Sequence, residues 1–131
     1  MTRNVKPNTI AKSLAIGTPA DGFYALRVMK ETAGAADDVT DDEIREGIKL
    51  LAEYEGIFAE TAGGVTTAVA KKLIASGRIP SKDSAVLCIT GNGLKTLDAV
   101  VGHCGQPREI RPSLREFEAM LAAEDPALVN A

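Results

Sequence analysis

The chain has 131 residues, 45% of them hydrophobic and 25% charged, with a net charge of −3. That length argues for one compact domain with its own core, and the mixture is that of a globular chain, neither disordered nor fibrous. Mild acidity, 4% aromatics and no Trp exclude the basic footprint and stacking platforms of a nucleic-acid binder, and no apolar run reaches membrane-spanning length.

The basic start has no apolar stretch behind it, so no signal peptide is expected. Cys88 and Cys104 form no CxxC pair, and a reducing, cytoplasmic location follows as the default. The first apolar segment, residues 9–16, is expected to be a short strand or extended piece. The Gly17-Thr18-Pro19 turn stops it. Asp21 is placed to cap a helix that turns Ala25, Leu26, Val28 and Met29 inward and ends near Gly34.

Thr40-Asp41-Asp42-Glu43 has the form of a capping box, with its acids at the positive end of a helix dipole. Ile44, Ile48 and Leu51 follow at helical spacing, so a helix runs to about Tyr54 and ends at Gly56. Residues 57–59 form a short buried piece before Glu60. Residues 61–70 are rich in small side chains and lead into Lys71-Lys72-Leu73-Ile74, closed by Gly77. This predicts a helix packed very closely against a neighbour.

Pro80-Ser81-Lys82-Asp83 reads as a polar turn. Residues 85–89, Ala-Val-Leu-Cys-Ile, are a continuous apolar run, the pattern of a strand buried on both faces of a parallel sheet. Thr90-Gly91-Asn92-Gly93 follows at once, and residues 94–100 suit a helical turn. Ser113-Leu114-Arg115-Glu116 predicts a second capping box opening a helix through Phe117, Met120 and Leu121, and the tail from Asp125 is expected to fray. Strands alternating with helices give an α/β class with parallel pairing.

In open α/β sheets ligands bind beyond the carboxyl ends of the strands, which aims the Thr90-Gly91-Asn92-Gly93 turn at any ligand. Its glycines let the backbone come close, and the Thr90 hydroxyl can both donate and accept. The spacing fits neither a dinucleotide fingerprint nor a Walker loop, and a plain tight turn is the competing reading. Glu60, ahead of Ala62-Gly63-Gly64, is read equally well as an acid at a helix start or as a carboxylate lining the same pocket. His103 and Cys104 are adjacent and do not make a facing nucleophile–base pair, and without a second His there is no His-based metal site. Lys95 reads as a solvated lysine.

The segments Thr9-Ile10-Ala11-Lys12-Ser13-Leu14-Ala15-Ile16-Gly17-Thr18-Pro19-Ala20-Asp21-Gly22, Glu55-Gly56-Ile57-Phe58-Ala59-Glu60-Thr61-Ala62-Gly63-Gly64-Val65 and Ile89-Thr90-Gly91-Asn92-Gly93-Leu94-Lys95 together resemble the carboxy-terminal part of threonine synthases. The resemblance runs from about Val5 to Val101. It implies a helix-flanked parallel-sheet domain of the pyridoxal-phosphate (fold type II) class, incomplete in this chain. Residues 1–104 would form the cofactor-side portion, and residues 105–131 a terminal extension with one helix.

It further implies that the Thr90 hydroxyl meets the pyridine nitrogen of pyridoxal 5'-phosphate. Gly91, Asn92 and Gly93 would carry the backbone past the ring, with Glu60, Ala62 and Gly63 lining the pocket. A neutral hydroxyl does not hold that nitrogen fully protonated, as an aspartate would. The implied reaction is that of a lyase of threonine biosynthesis: O-phospho-L-homoserine and water give L-threonine and phosphate. Thr18 stands where the family often has Asn before the Pro, and Thr61 where it often has Pro after the Glu. The family's Schiff-base lysine lies in a Ser-x-Lys-Asp motif that residues 1–131 do not contain, since Ser81-Lys82-Asp83 lacks the intervening residue. No catalytic residue is therefore expected in this chain alone. Its partner is either a missing amino-terminal half or a homo-oligomer mate. A non-catalytic fragment or interaction module, or a threonine dehydratase-like lyase, are the alternatives.

Overall fold

The computed structural model describes residues 6–105 and 107–124. The first five residues and the tail from Asp125, on which the leader and fraying expectations fall, lie outside the described residues. Four α-helices follow in order: α1 (Gly22–Glu31), α2 (Asp41–Glu55), α3 (Thr61–Ala75) and α4 (Leu114–Glu124). Two 3-10 pieces, Lys12–Leu14 and Gly93–Ala99, complete the regular structure among the described residues.

Helix α2 starts where its capping box demands. The Glu43 amide donates to the Thr40 hydroxyl at 3.3 Å and the Thr40 amide donates to the Glu43 carboxylate at 2.7 Å. This satisfies two of the amides that a helix start leaves unpaired. Gly56 ends the helix in the left-handed conformation at φ 66°, and the Ile57 amide donates to the Leu51 carbonyl, closing the last turn.

The small residues of α3 bring it into backbone contact with α2. A Cβ on Gly47 would lie 2.4 Å from the Gly64 carbonyl oxygen, and one on Gly64 would lie 2.6 Å from the Ile44 carbonyl oxygen. The helices cross there with no side chain between them. Ile44 and Ile48 of α2 join Ala11 and Val100 in the core, with Ile10, Val39, Phe58 and Val65 packed around it. Polar ties close the chain's other pieces onto the pair. The Asp41 carboxylate accepts from the Thr9 hydroxyl and the Ile10 amide, Arg45 Nε donates to the Ala99 carbonyl at 3.0 Å, and Lys12 pairs with Asp98.

Several expectations are corrected here. Residues 9–16 form no strand; they hold the 3-10 turn Lys12–Leu14 instead. Polar anchoring to α2 bends this segment where apolar content alone suggested extension. Asp21 precedes α1 without a side-chain cap bond. The α1 residues Ala25, Leu26 and Val28 are exposed and Met29 is half-buried, because no described segment covers them. At α4 only half of the box forms: the Glu116 amide donates to the Ser113 hydroxyl, but the Glu116 carboxylate accepts from the Arg111 amide.

The expected parallel sheet is not formed among the described residues. Residues 85–89 carry no strand, and the only pairing described is an isolated antiparallel bridge between Ala59 and Asn92. A strand takes its hydrogen bonds from neighbouring strands. No described segment lies along residues 85–89 to supply them. Among the described residues no helix is long and apolar enough to cross a membrane.

Candidate functional site

The bridge between Ala59 and Asn92 builds the site. Residues 58–60 approach α3 in extended backbone, and Glu60 is its N-cap residue at φ −68° and ψ 172°. The Glu60 amide donates to the Gly91 carbonyl at 3.0 Å and the Gly93 amide donates to the Phe58 carbonyl at 2.9 Å. The turn after residue 89 is thereby locked to the start of α3, although the two are some thirty positions apart in the chain.

Side chains seal this contact. The Glu60 carboxylate lies against Gly91 so closely that a Cβ there would fall 1.9 Å from Oε1, and a Cβ on Gly93 would fall 2.5 Å from the Phe58 ring. No larger residue fits either place without displacing its cover. Asn92 Oδ1 accepts from the Leu94 amide at 2.9 Å, an Asx turn that starts the 3-10 piece. That piece brings back the Thr96 hydroxyl, which accepts from the Thr61 amide at 3.3 Å. It also brings Lys95 Nζ to 3.9 Å from the Glu60 carboxylate, a pair with side chains 66% and 12% exposed.

The two readings of Glu60 thus separate. It holds the N-cap position, yet its side chain makes no cap hydrogen bond and packs on the turn instead. Thr90, next to Gly91, is exposed. Asn92, Gly91, Gly93 and Glu60 are brought together. Gly63 is not open: a Cβ there would meet the Ala59 methyl at 2.6 Å and Ile89 Cγ2 at 3.2 Å. Ala62 is half-buried, and its carbonyl accepts from the Thr66 hydroxyl. Lys82 lies in an exposed turn closed by the Asp83 amide on the Pro80 carbonyl.

Sequence reasoning passed over Phe58 and Thr96 and read Lys95 as a solvated lysine, whose side chain is indeed 66% exposed. Phe58, Lys95 and Thr96 reach the site only through the bridge, and the one hint was a lysine of opposite charge to Glu60 two residues after Gly93. Thr61 is fully buried, and its hydroxyl has no hydrogen-bond partner among the described residues. A separate groove of about 320 Å³ runs between α2 and α3, bordered by Glu43, Lys49, Leu50, Thr67 and Lys72. It shares none of the site residues.

The exposed Thr90 hydroxyl offers a neutral partner to a ring nitrogen. The close approach that Gly63 and Gly64 permit is taken up by Ala59, Ile89, Ile44 and Ile48. The Glu60 carboxylate beside the start of α3 opposes an anion. No group of three or more His, Cys, Asp or Glu placed to hold a metal ion occurs among the described residues.

The family described as pyridoxal-phosphate dependent enzyme matches residues 1–91, and the chain belongs to that family. Within it, the chain is similar to threonine synthases. That of Halalkalibacterium halodurans is 46% identical over 90 residues, 69% of this chain and 25% of the relative. That of Methanocaldococcus jannaschii is 40% identical over 116 residues, 88% of this chain and 28% of the relative. That of Methanosarcina acetivorans is 38% identical over 108 residues, 82% of this chain and 26% of the relative. The chain spans about a quarter of the length of these curated relatives.

Proposed function

We propose that this chain forms the pyridine-side wall of a pyridoxal-phosphate pocket in a threonine synthase-like enzyme. The assembled enzyme converts O-phospho-L-homoserine and water to L-threonine and phosphate. The observation that carries this reading is the Glu60–Gly91 contact, which fixes the turn and leaves the neighbouring Thr90 hydroxyl exposed.

In this reading Thr90 meets the ring nitrogen, Gly91 and Gly93 let the turn lie flat beneath Glu60 and Phe58, and Asn92 holds the turn's shape. When bound, the cofactor supplies an electron sink for carbanion chemistry. The chain's own part is to orient the ring and to leave its nitrogen with a neutral hydrogen-bond partner. The lysine that holds the cofactor and moves protons comes from polypeptide outside residues 1–131. The parallel sheet expected for this class belongs to that assembled state.

Two measurements test the reading. The pure chain with added pyridoxal phosphate is expected to release no phosphate from O-phospho-L-homoserine above a cofactor-only control. In the assembled enzyme, Thr90→Val keeps the shape and removes the hydroxyl, so turnover should fall by an amount equivalent to about 1–3 kcal/mol with a shifted cofactor absorbance. Unchanged kinetics and spectrum would return Thr90 to the role of a turn residue.

A further inference from the structure

We propose that Lys95 is a positioning residue that acts through Glu60: its ammonium balances the Glu60 carboxylate, so that the neutral partner Thr90 offers to the ring nitrogen is not undone by a bare negative charge beside it. This rests on the pyridine-side reading above and adds an electrostatic part to it.

The Glu60 side chain is nearly buried. Its carboxylate rests on Gly91 so closely that a Cβ there would overlap it. Thr90 is the next residue in the chain, and adjacent Cα atoms lie about 3.8 Å apart, so the charge stands beside the hydroxyl. A polar side chain at an N-cap position ordinarily turns to the helix amides. Glu60 makes no such bond, and the Thr61 amide donates to the Thr96 hydroxyl instead. The carboxylate is thereby left to the turn. With little water around it, its charge is felt over several ångströms. Alone, it would favour a proton on a nearby ring nitrogen, the state that a neutral hydroxyl partner does not impose.

One cation answers it. Lys95 Nζ lies 3.9 Å from Glu60 Oε2, and no other basic group pairs with Glu60 among the described residues. The pair is not what fastens the turn, since a contact of that length to a largely exposed lysine holds little. The fastening comes from the backbone, through the Glu60 amide on the Gly91 carbonyl and the Gly93 amide on the Phe58 carbonyl. What Lys95 supplies is charge, and the fold fixes where that charge starts. Asn92 accepts from the Leu94 amide through its side chain and from the Lys95 amide through its carbonyl. Thr90, Lys95 and Thr96 are therefore carried on one hydrogen-bonded turn and 3-10 piece.

The test uses the assembled holoenzyme loaded with pyridoxal phosphate labelled with ¹⁵N in the ring, and reads the ring nitrogen's chemical shift. Lys95→Met should raise the ratio of protonated to unprotonated nitrogen about tenfold. Lys95→Arg keeps the charge and should leave that ratio within about twofold of its starting value. In a Glu60→Gln background Lys95→Met should change nothing, because the charge it balances is gone. In the full chain alone, hydrogen exchange of the Glu60 amide should be the same with and without Lys95→Met. An unmoved shift in Lys95→Met, a loss of balance in Lys95→Arg, or an effect that persists in Glu60→Gln overturns the proposal. So does faster exchange of the Glu60 amide, which would make Lys95 a fastener of the turn. Thr90→Val separates this inference from the reading beneath it. If Thr90→Val moves the shift and Lys95→Met does not, the charge balance alone falls. If Lys95→Met moves it and Thr90→Val does not, the hydroxyl contact falls and the charge balance stands; if neither moves it, both fall.

Discussion

The α2–α3 pair and the segments around it behave in opposite ways. Helices α2 and α3 meet backbone to backbone at Gly47 and Gly64 and cover Ile44 and Ile48 almost completely. Helices α1 and α4 bury no residue fully, and residues 85–89 offer apolar side chains and an unpaired backbone to water. The exposed α1 is as amphipathic as the packed α2. What separates them is whether a complementary surface lies within the same chain. The first region is a finished packing unit, and the second is half of one.

The largest expected effect breaks or upholds that contrast directly. Gly47→Val puts side-chain atoms into the Gly64 carbonyl, which cannot retreat without moving α3, and should cost about 3 kcal/mol in urea unfolding of the chain. Leu26→Ala in α1 should change the same midpoint by less than about 0.5 kcal/mol, as exposed substitutions do. Equal losses for the two would erase the distinction between finished and unfinished regions.

A somewhat smaller effect sharpens it at the site. Gly91→Ala drives a methyl into the Glu60 carboxylate and should cost about 1–3 kcal/mol. Glu60→Ala in the same chain removes the clashing atoms and should recover most of that loss, a coupling readable in a double-mutant cycle. Additive losses would show that the turn and the start of α3 are not locked together. Thr40→Ala, which removes the hydroxyl that caps α2, should cost about 1 kcal/mol.

The smallest effect follows pH. The Thr40 amide, and after it Lys72, hold the Glu43 carboxyl below its ordinary range, and Lys12 does the same for Asp98. Lowered acids stabilise the fold above their unfolded pKa and lose that contribution as pH falls through the folded value. Stability should therefore decline as pH drops from about 5 to about 3. Glu43 raises Lys72 above its ordinary range, so its contribution is present below the unfolded pKa and is lost as pH climbs past about 10.5. Glu43→Gln, followed by thermal melts across pH, should flatten both limbs, the acid limb incompletely because Asp98 remains.

Much of the local structure was legible before any tertiary contact was known. The Thr40–Glu43 box and the stop at Gly56 depend on neighbours within one turn of helix, so short sequence windows contain their causes, and the small side chains of residues 61–70 are visible in the sequence although the helix they pack against is not. The site was legible in part. Thr90, Gly91, Asn92, Gly93 and Glu60 were singled out, but Gly63 was expected to face a pocket and faces Ala59 and Ile89. Phe58 and Thr96 carried no local signal, because their roles come from a bridge between residues about thirty apart. The extended reading of residues 9–16 failed for the same reason: the Asp41 carboxylate that binds Thr9 and Ile10 lies 32 and 31 positions away.

By itself, then, the sequence determined where α2 and α3 begin and end, that α3 must sit very close to a partner, and which family the turn at Thr90 resembles. Only the tertiary structure decided that the partner is α2 at Gly47, that Glu60 leans on Gly91 instead of capping its own helix, and that residues 85–89 stand unpaired. The division has one physical cause. Caps and turns are settled by hydrogen bonds between near neighbours, whereas burial, strand pairing and the approach of one backbone to another require a second surface, and which surface that is cannot be read from the residues that await it.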